Sequence, residues 1–168
     1  MNIIKDFQEL PNEEITTLIK NFRVTQKKGI IKNVMPNKSY INEYNKQFID
    51  VSDKLMESIK KIILSYFPNN KITYRFSRLN KIETDTNTHD DFHTDSGSGN
   101  IIFLHYPKDN PEYEGGELEI ENLEKIYPVN GMNLLLIDNP PHRVLNVTKG
   151  ERYSFAFFFD RYKTNHLI

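Results

Sequence analysis

The stretch "GERYSFAFFF", residues 150–159, decides the fold class. Along a strand, successive side chains point to opposite faces, so residues two apart share a face. Arg152 and Ser154 then lie on one side, and Phe155, Phe157 and Phe159 on the other. The aromatic side needs a core to cover it. The other side carries an arginine into an apolar setting, where an unpaired charge is very costly. Glu151 belongs to the preceding turn, so no acid of the same segment faces Arg152. A planar guanidinium beside a hydroxyl can grip a carboxylate at two points. An ordinary salt bridge at a strand end is the alternative.

Working outward, "KITYRFSRL", "NIIFLHY", "GELEIEN", "MNLLLID" and "HRVLNV" are further strand-like runs between residues 71 and 147. The segments "NPEYEGG" and "PVNG" between them are turns. Many short strands with turn punctuation indicate an antiparallel sandwich or barrel. The first 70 residues differ. Asn12 can cap a short helix with Glu13 and Glu14 in its first turn. A longer helix is predicted from a cap at Ser39 to the stop at Pro68. Ile41, Tyr44, Phe48, Val51, Leu55, Ile59, Ile62 and Tyr66 recur in it at steps of three and four. Its apolar face should lie on a sheet.

Composition narrows the classes. The chain has 168 residues, 38% of them hydrophobic, which suits one folded domain with a real core. Cysteine is absent, which removes disulfides and thiolate metal sites. No apolar run reaches the length of a membrane span, and the start lacks a signal-peptide core. A cytoplasmic protein without membrane partners is the expectation. Net charge is −1, yet residues 1–80 carry 14 Lys+Arg against 8 Asp+Glu and residues 81–168 carry 8 against 15. Two solvated faces explain that asymmetry, and a basic partner-binding region is the other reading.

His93 and Asp95 are two apart in "FHTDSGSGN", residues 92–100, and His142 opens "HRVLNV". A sheet that folds back can set two such strands side by side. Two imidazoles and one carboxylate on one face of a metal leave positions open, the ligand set of non-haem Fe(II) oxygenases. Alone, His-x-Asp is equally a polar turn with a satisfied histidine.

The ordered set is more specific. His93-x-Asp95, "YEGGEL", "PVNGMNLLLID", His142 and Arg152-x-Ser154 follow one another as in the 2-oxoglutarate- and Fe(II)-dependent oxygenases, and the whole resembles their compact prolyl-4-hydroxylase-like branch. The likeness covers residues 72–160. It implies an α+β, mainly β fold: a double-stranded β-helix (jelly-roll) with N-terminal helices packed on one sheet. The expected organisation is a single domain over 1–168, with helical support in 1–70 and the jelly-roll core in 71–162. His93, Asp95 and His142 are implied as the iron ligands and catalytic centre. Arg152 and Ser154 are implied as the grip on the far carboxylate of 2-oxoglutarate. The cofactor set is Fe(II), 2-oxoglutarate as co-substrate and O2, with ascorbate as an accessory reductant. The implied reaction is hydroxylation with release of succinate and CO2.

The sequence departs from the family in places. Where relatives carry a tyrosine in a "YLN"-like segment, this chain has "FLHYPKDN", so His105 takes that place as a co-substrate contact, with Tyr106 next. A histidine packed in the sheet is the other reading of His105. A tyrosine about nine residues before the metal histidine is missing, and Tyr74, further back, is the remaining candidate. The polar stretch from Glu83 to Phe92 is expected to be a lid whose Asp85, His89 and Asp90 select the substrate. His89, four before His93, also has the helical spacing of some zinc sites. His166 is expected in solvent.

Asp95 argues against halogenation, because halogenating relatives have a small residue there. Phe158 stands where base-dealkylating relatives carry a second arginine, which argues against a nucleic-acid substrate. A peptidyl proline, another protein side chain or an amino acid is the expected substrate, with a small metabolite or nucleic acid as the alternative. A catalytically silent binding barrel is the rival class. The oligomeric state is not legible.

Overall fold

The structure is a computed structural model that describes residues 2–27, 45–84, 91–95 and 99–164. Its elements are, in order, β1 (Ile3–Asp6), α1 (Asn12–Lys27), β2 (Asn45–Ile49), α2 (Asp53–Tyr66) and β3 (Asn70–Glu83). There follow β4 (Ile101–His105), β5 (Tyr113–Gly115), β6 (Leu118–Ile120), β7 (Lys125–Ile126), β8 (Asn133–Ile137), β9 (His142–Val144) and β10 (Val147–Lys163).

Two antiparallel sheets face each other in a jelly-roll. The larger runs β1-β8-β4-β10-β3-β2, with β5 also paired to β10, and the smaller runs β7-β6-β9. Strand β10, which contains residues 150–159, is the spine of the larger sheet. It pairs β4 on one side (Phe157↔Phe103) and β3 on the other (Phe157↔Ser77). Its alternation holds throughout. Tyr153, Phe155, Phe157 and Phe159 are buried in one core with Ile15, Ile19 and Phe22 of α1 and Leu55, Ile59 and Ile62 of α2. Ala156 and Phe158 point the opposite way, into a second core against Leu118 and Ile120 of the smaller sheet. The helices thus cover one side of the larger sheet, and the smaller sheet covers the other.

The expectation for the first 70 residues needs correction. They contribute the two strands at the ends of the larger sheet as well as helices: β1 pairs β8 (Ile3↔Leu136) and β2 pairs β3 (Phe48↔Arg78). The single long helix does not form. "NKQFI" is a strand, Phe48 packs edge-on to Phe76 at 5.5 Å, and the helix begins only at Asp53. Ser52 is its cap, accepting from the Leu55 N–H at 3.1 Å, while the Ser52 N–H donates to Glu14 at 2.9 Å. Phe48 and Val51 happen to continue the helical spacing of Leu55 and Ile59, and pairing with β3 overrides that period. Ser39, Ile41 and Tyr44 lie outside the described residues. No helix among the described residues is long and apolar enough to cross a membrane.

Candidate metal and co-substrate site

Three donors meet at the mouth between the sheets. His142 is the first residue of β9, and the segment around His93 pairs beside it through reciprocal backbone bonds. The His93 N–H donates to the His142 carbonyl at 3.0 Å, and the His142 N–H returns to the His93 carbonyl at 2.9 Å. The two imidazoles stand with centroids 4.6 Å apart. Asp95, two residues on, shares their face, and its Oδ2 is 3.2 Å from His142 Nε2. Ligand atoms of His93, Asp95 and His142 all lie within 4.8 Å of one another.

The protonation chemistry suits a cation. Burial by itself would raise the Asp95 carboxyl. The hydrogen bond and charge of His142, with Arg78 and His93, outweigh it and hold Asp95 at about 2. Asp95 is therefore ionised at neutral pH, the form a metal takes. Burial pulls His142 down, but Asp95 and the Pro140 carbonyl raise it above the usual histidine value. His142 Nδ1 lies 2.8 Å from the Pro140 carbonyl, so that nitrogen is the donor and Nε2 faces the shared point. Two imidazole nitrogens and one carboxylate fit iron(II) with coordination positions left over.

Arg152 lies on the inner face of β10 at 2% exposure. One Nη1–H donates to the Gly116 carbonyl, and the guanidinium is flanked by Tyr106 at 5.3 Å and Tyr113 at 5.9 Å from the ring centroids. Gly116 has φ +72°, and a Cβ there would stand 2.7 Å from Arg152 Nη1, so only glycine permits this approach. Burial raises both phenols above their usual values against the pull of Arg152, so both remain O–H donors. Arg152 Nε is buried with no hydrogen-bond partner among the described residues. The same is true of Oδ1 of Asn80, which is paired across the strands with Ser154. Arg161 Nε is in the same state, but Arg152 differs in being buried over its whole side chain, and an anion is the group that would satisfy it. The residues present therefore fit a carboxylate at Arg152 and a metal at the His-Asp-His cluster.

Two expected contacts are not brought to this site. His105 faces the helix side of the sheet, where its ring lies 6.3 Å from Phe155 and its Nδ1 is 2.7 Å from Asn133 Oδ1. Its neighbour Tyr106 turns inward instead, because His105 stands opposite Phe155, and one step along the ladder both strands switch face. Tyr74 also faces the helix side, packed at 5.5 Å on Phe159 with its hydroxyl 2.6 Å from Ser77 Oγ. The sequence reading named Tyr106 only as the neighbour of His105 and missed Tyr113, Asn80 and Arg78. Arg78 is opposite Ala156 on the inner face, with its guanidinium carbon 4.9 Å from the Phe158 ring centroid, and its charge acts on both Asp95 and His142. Counting by twos from Ser154 across the paired strands would have found Asn80 and Arg78 once the register was known. Asp85, His89, Asp90 and His166 lie outside the described residues.

Comparison with known proteins agrees with this geometry. Residues 74–160 match the model of the 2OG-Fe(II) oxygenase superfamily. The viral collagen prolyl hydroxylase of Paramecium bursaria Chlorella virus-1, solved with 2OG, is similar at a TM-score of 0.66 and 17% identity, covering 98% of this chain and 97% of that one. A prolyl hydroxylase from Trichoplax adhaerens, in complex with a hypoxia inducible factor oxygen degradation domain peptide fragment, gives 0.69 at 17% identity, over 94% and 83%. The carbocyclase SnoK of nogalamycin biosynthesis gives 0.68 at 12% identity, over 94% and 79%. No curated protein is similar enough in sequence to count as a relative. The chain belongs to the 2OG-Fe(II) oxygenase superfamily and is a dioxygenase that uses iron(II), 2-oxoglutarate and O2.

Proposed function

We propose that this enzyme hydroxylates a protein or amino-acid side chain, with peptidyl proline the first candidate, and releases succinate and CO2. The observation that carries the reading is the pairing of the His93–Asp95–His142 cluster with the buried, incompletely satisfied guanidinium of Arg152. In it, His93, Asp95 and His142 hold iron(II) on one side. Arg152 binds the far carboxylate of 2-oxoglutarate, Ser154 adds a hydroxyl, and the rings of Tyr106 and Tyr113 flank the guanidinium, the Tyr113 O–H donating to the Pro128 carbonyl at 3.3 Å. The iron centre supplies oxidative decarboxylation of the co-substrate and delivery of oxygen to a C–H bond. The protein orients the partners and excludes water with the apolar inner wall that includes Ile102 and Ala156. A catalytically silent barrel has no use for an ionised carboxylate beside two imidazoles and an arginine awaiting an anion.

The prolyl hydroxylase likeness favours a peptide, and the equally close fold of a carbocyclase keeps a small metabolite as the alternative. The test is succinate formation by the iron-loaded enzyme with 2-oxoglutarate, O2 and a panel of proline-containing peptides, with peptide mass followed in parallel. A gain of one oxygen coupled to succinate supports the reading. Succinate release that no peptide stimulates, but a small metabolite does, overturns the substrate class.

A further inference from the structure

Behind the two metal histidines the sheet carries a row of side chains that the chemistry does not use. Ile120 pairs with His142 and faces inward, so Glu119 and Arg143, paired one step along, face outward. The His93↔His142 bridge sets Phe92 beside Arg143 in the same outward row. The three side chains interlock. Arg143 Nη2 donates to both carboxylate oxygens of Glu119, at 3.2 and 3.3 Å, and its Nε reaches Oε2 at 3.4 Å. Its guanidinium carbon lies 4.4 Å from the centroid of the Phe92 ring. Among the described residues, the backbone of 91–95 joins the sheet only through the His93 bridge.

We propose that Glu119, Arg143 and Phe92 are positioning residues, a clamp on the outer face that fixes the lateral spacing of His93 and His142 on the inner one. It rests on the assignment of His93, Asp95 and His142 as the metal ligands. A single bridge leaves the segment carrying His93 free to twist about its own axis. A planar fork held by Glu119 on one strand, with the ring of Phe92 stacked on it from the other, resists that twist. Arg143 and Glu119 side chains are 29% and 26% exposed, so the pair adds little to global stability. Its effect falls on geometry, and therefore on metal affinity.

The readout is Mn(II) affinity of the full chain without co-substrate, from the electron paramagnetic resonance signal of free Mn(II), beside the thermal midpoint of the metal-free protein. Arg143→Met and Phe92→Leu are each expected to raise the dissociation constant about tenfold, the low end for groups that support metal ligands from outside. The double variant should be little weaker than either single one, because both changes open the same clamp. Arg143→Lys, which keeps charge without the fork, should recover only part of the affinity. Arg75→Met, which breaks a cross-strand pair with Asp160 away from the histidines, should leave affinity unchanged. If Arg143→Met does not fold, Glu119→Gln carries the same comparison. Affinity within twofold of wild type in a folded Arg143 or Glu119 variant overturns the clamp. So does a loss of affinity in proportion to lost stability that Arg75→Met reproduces. Equal Mn(II) binding by wild type and His142→Ala would instead remove the metal centre, and the clamp's role with it.

Discussion

The two faces of β10 differ in one respect above all. On the helix side the middle of the strand is packed and paired, and a buried polar atom without a hydrogen-bond partner appears only near its end, at Arg161 Nε over the Phe67 ring and at Oδ1 of Asn70. In that middle part Phe157 lies 6.1 Å from both Phe103 and Phe155, and the polar residues are paired, with His105 on Asn133 and Asn133 on Asp6. On the inner side, five residues before Phe157, Arg152 and the neighbouring Asn80 keep buried polar atoms without partners. One strand therefore serves stability with its odd residues and chemistry with its even ones. What sets the inner side apart is that Arg152 is a wholly buried charged side chain there, with a nitrogen that a bound anion would satisfy.

The largest effect that would break this comparison is on the helix side. Phe157→Ala should cost about 3–5 kcal/mol of unfolding free energy, read from urea denaturation, because it empties a site with no exposure. A cost below about 1 kcal/mol would mean the aromatic face is not the core. Arg152→Lys should do the reverse. It should change the unfolding free energy by no more than about 1 kcal/mol, leave Mn(II) affinity intact and weaken 2-oxoglutarate binding at least about tenfold, since a lysine keeps the charge and loses the two-point geometry. Unchanged co-substrate affinity would strip Arg152 of its role.

The same alternation explains what the sequence made legible and what it did not. Arg152, Ser154 and the phenylalanines could be sorted because an apolar strand declares its own period. His105 and Tyr106 could not, since a one-residue shift in register reverses every face and the register is set by a strand fifty residues away. The edge strands β1 and β2 were hidden for a related reason. Ile3 pairs with Leu136, and nothing local in either segment announces the other. The His-x-Asp and the later histidine were legible as a set. The back-face clamp was not, because Glu119, Arg143 and Phe92 read individually as ordinary surface residues.

A smaller effect sharpens the comparison through pH. Burial lowers the pKa of His105, with Lys108 adding to it and the Asn133 hydrogen bond opposing. The unfolded chain therefore takes up this proton first as pH falls. The contribution of neutral His105 is complete above the usual value of 6.5 and is lost as pH drops below it. Asp6 shifts in the other sense. Burial would raise it, but hydrogen bonds from Tyr66, Asn133 and Gln8 hold it below its usual 3.8, so it does not act in this window. Between pH 7.5 and 5.5 the wild-type urea midpoint should fall more than that of His105→Gln. Parallel slopes would show that His105 is not the group responsible.

The central claim is that one cation and one carboxylate belong between the two sheets, and the measurement that tests it most directly is an anomalous difference map. Crystals of the wild-type protein would be grown without O2 in the presence of Mn(II) and 2-oxoglutarate. The account predicts a single strong peak within bonding distance of His93, Asp95 and His142, with the far carboxylate of 2-oxoglutarate against Arg152 Nε. A peak elsewhere, or three side chains turned apart with 2-oxoglutarate away from Arg152, would contradict it.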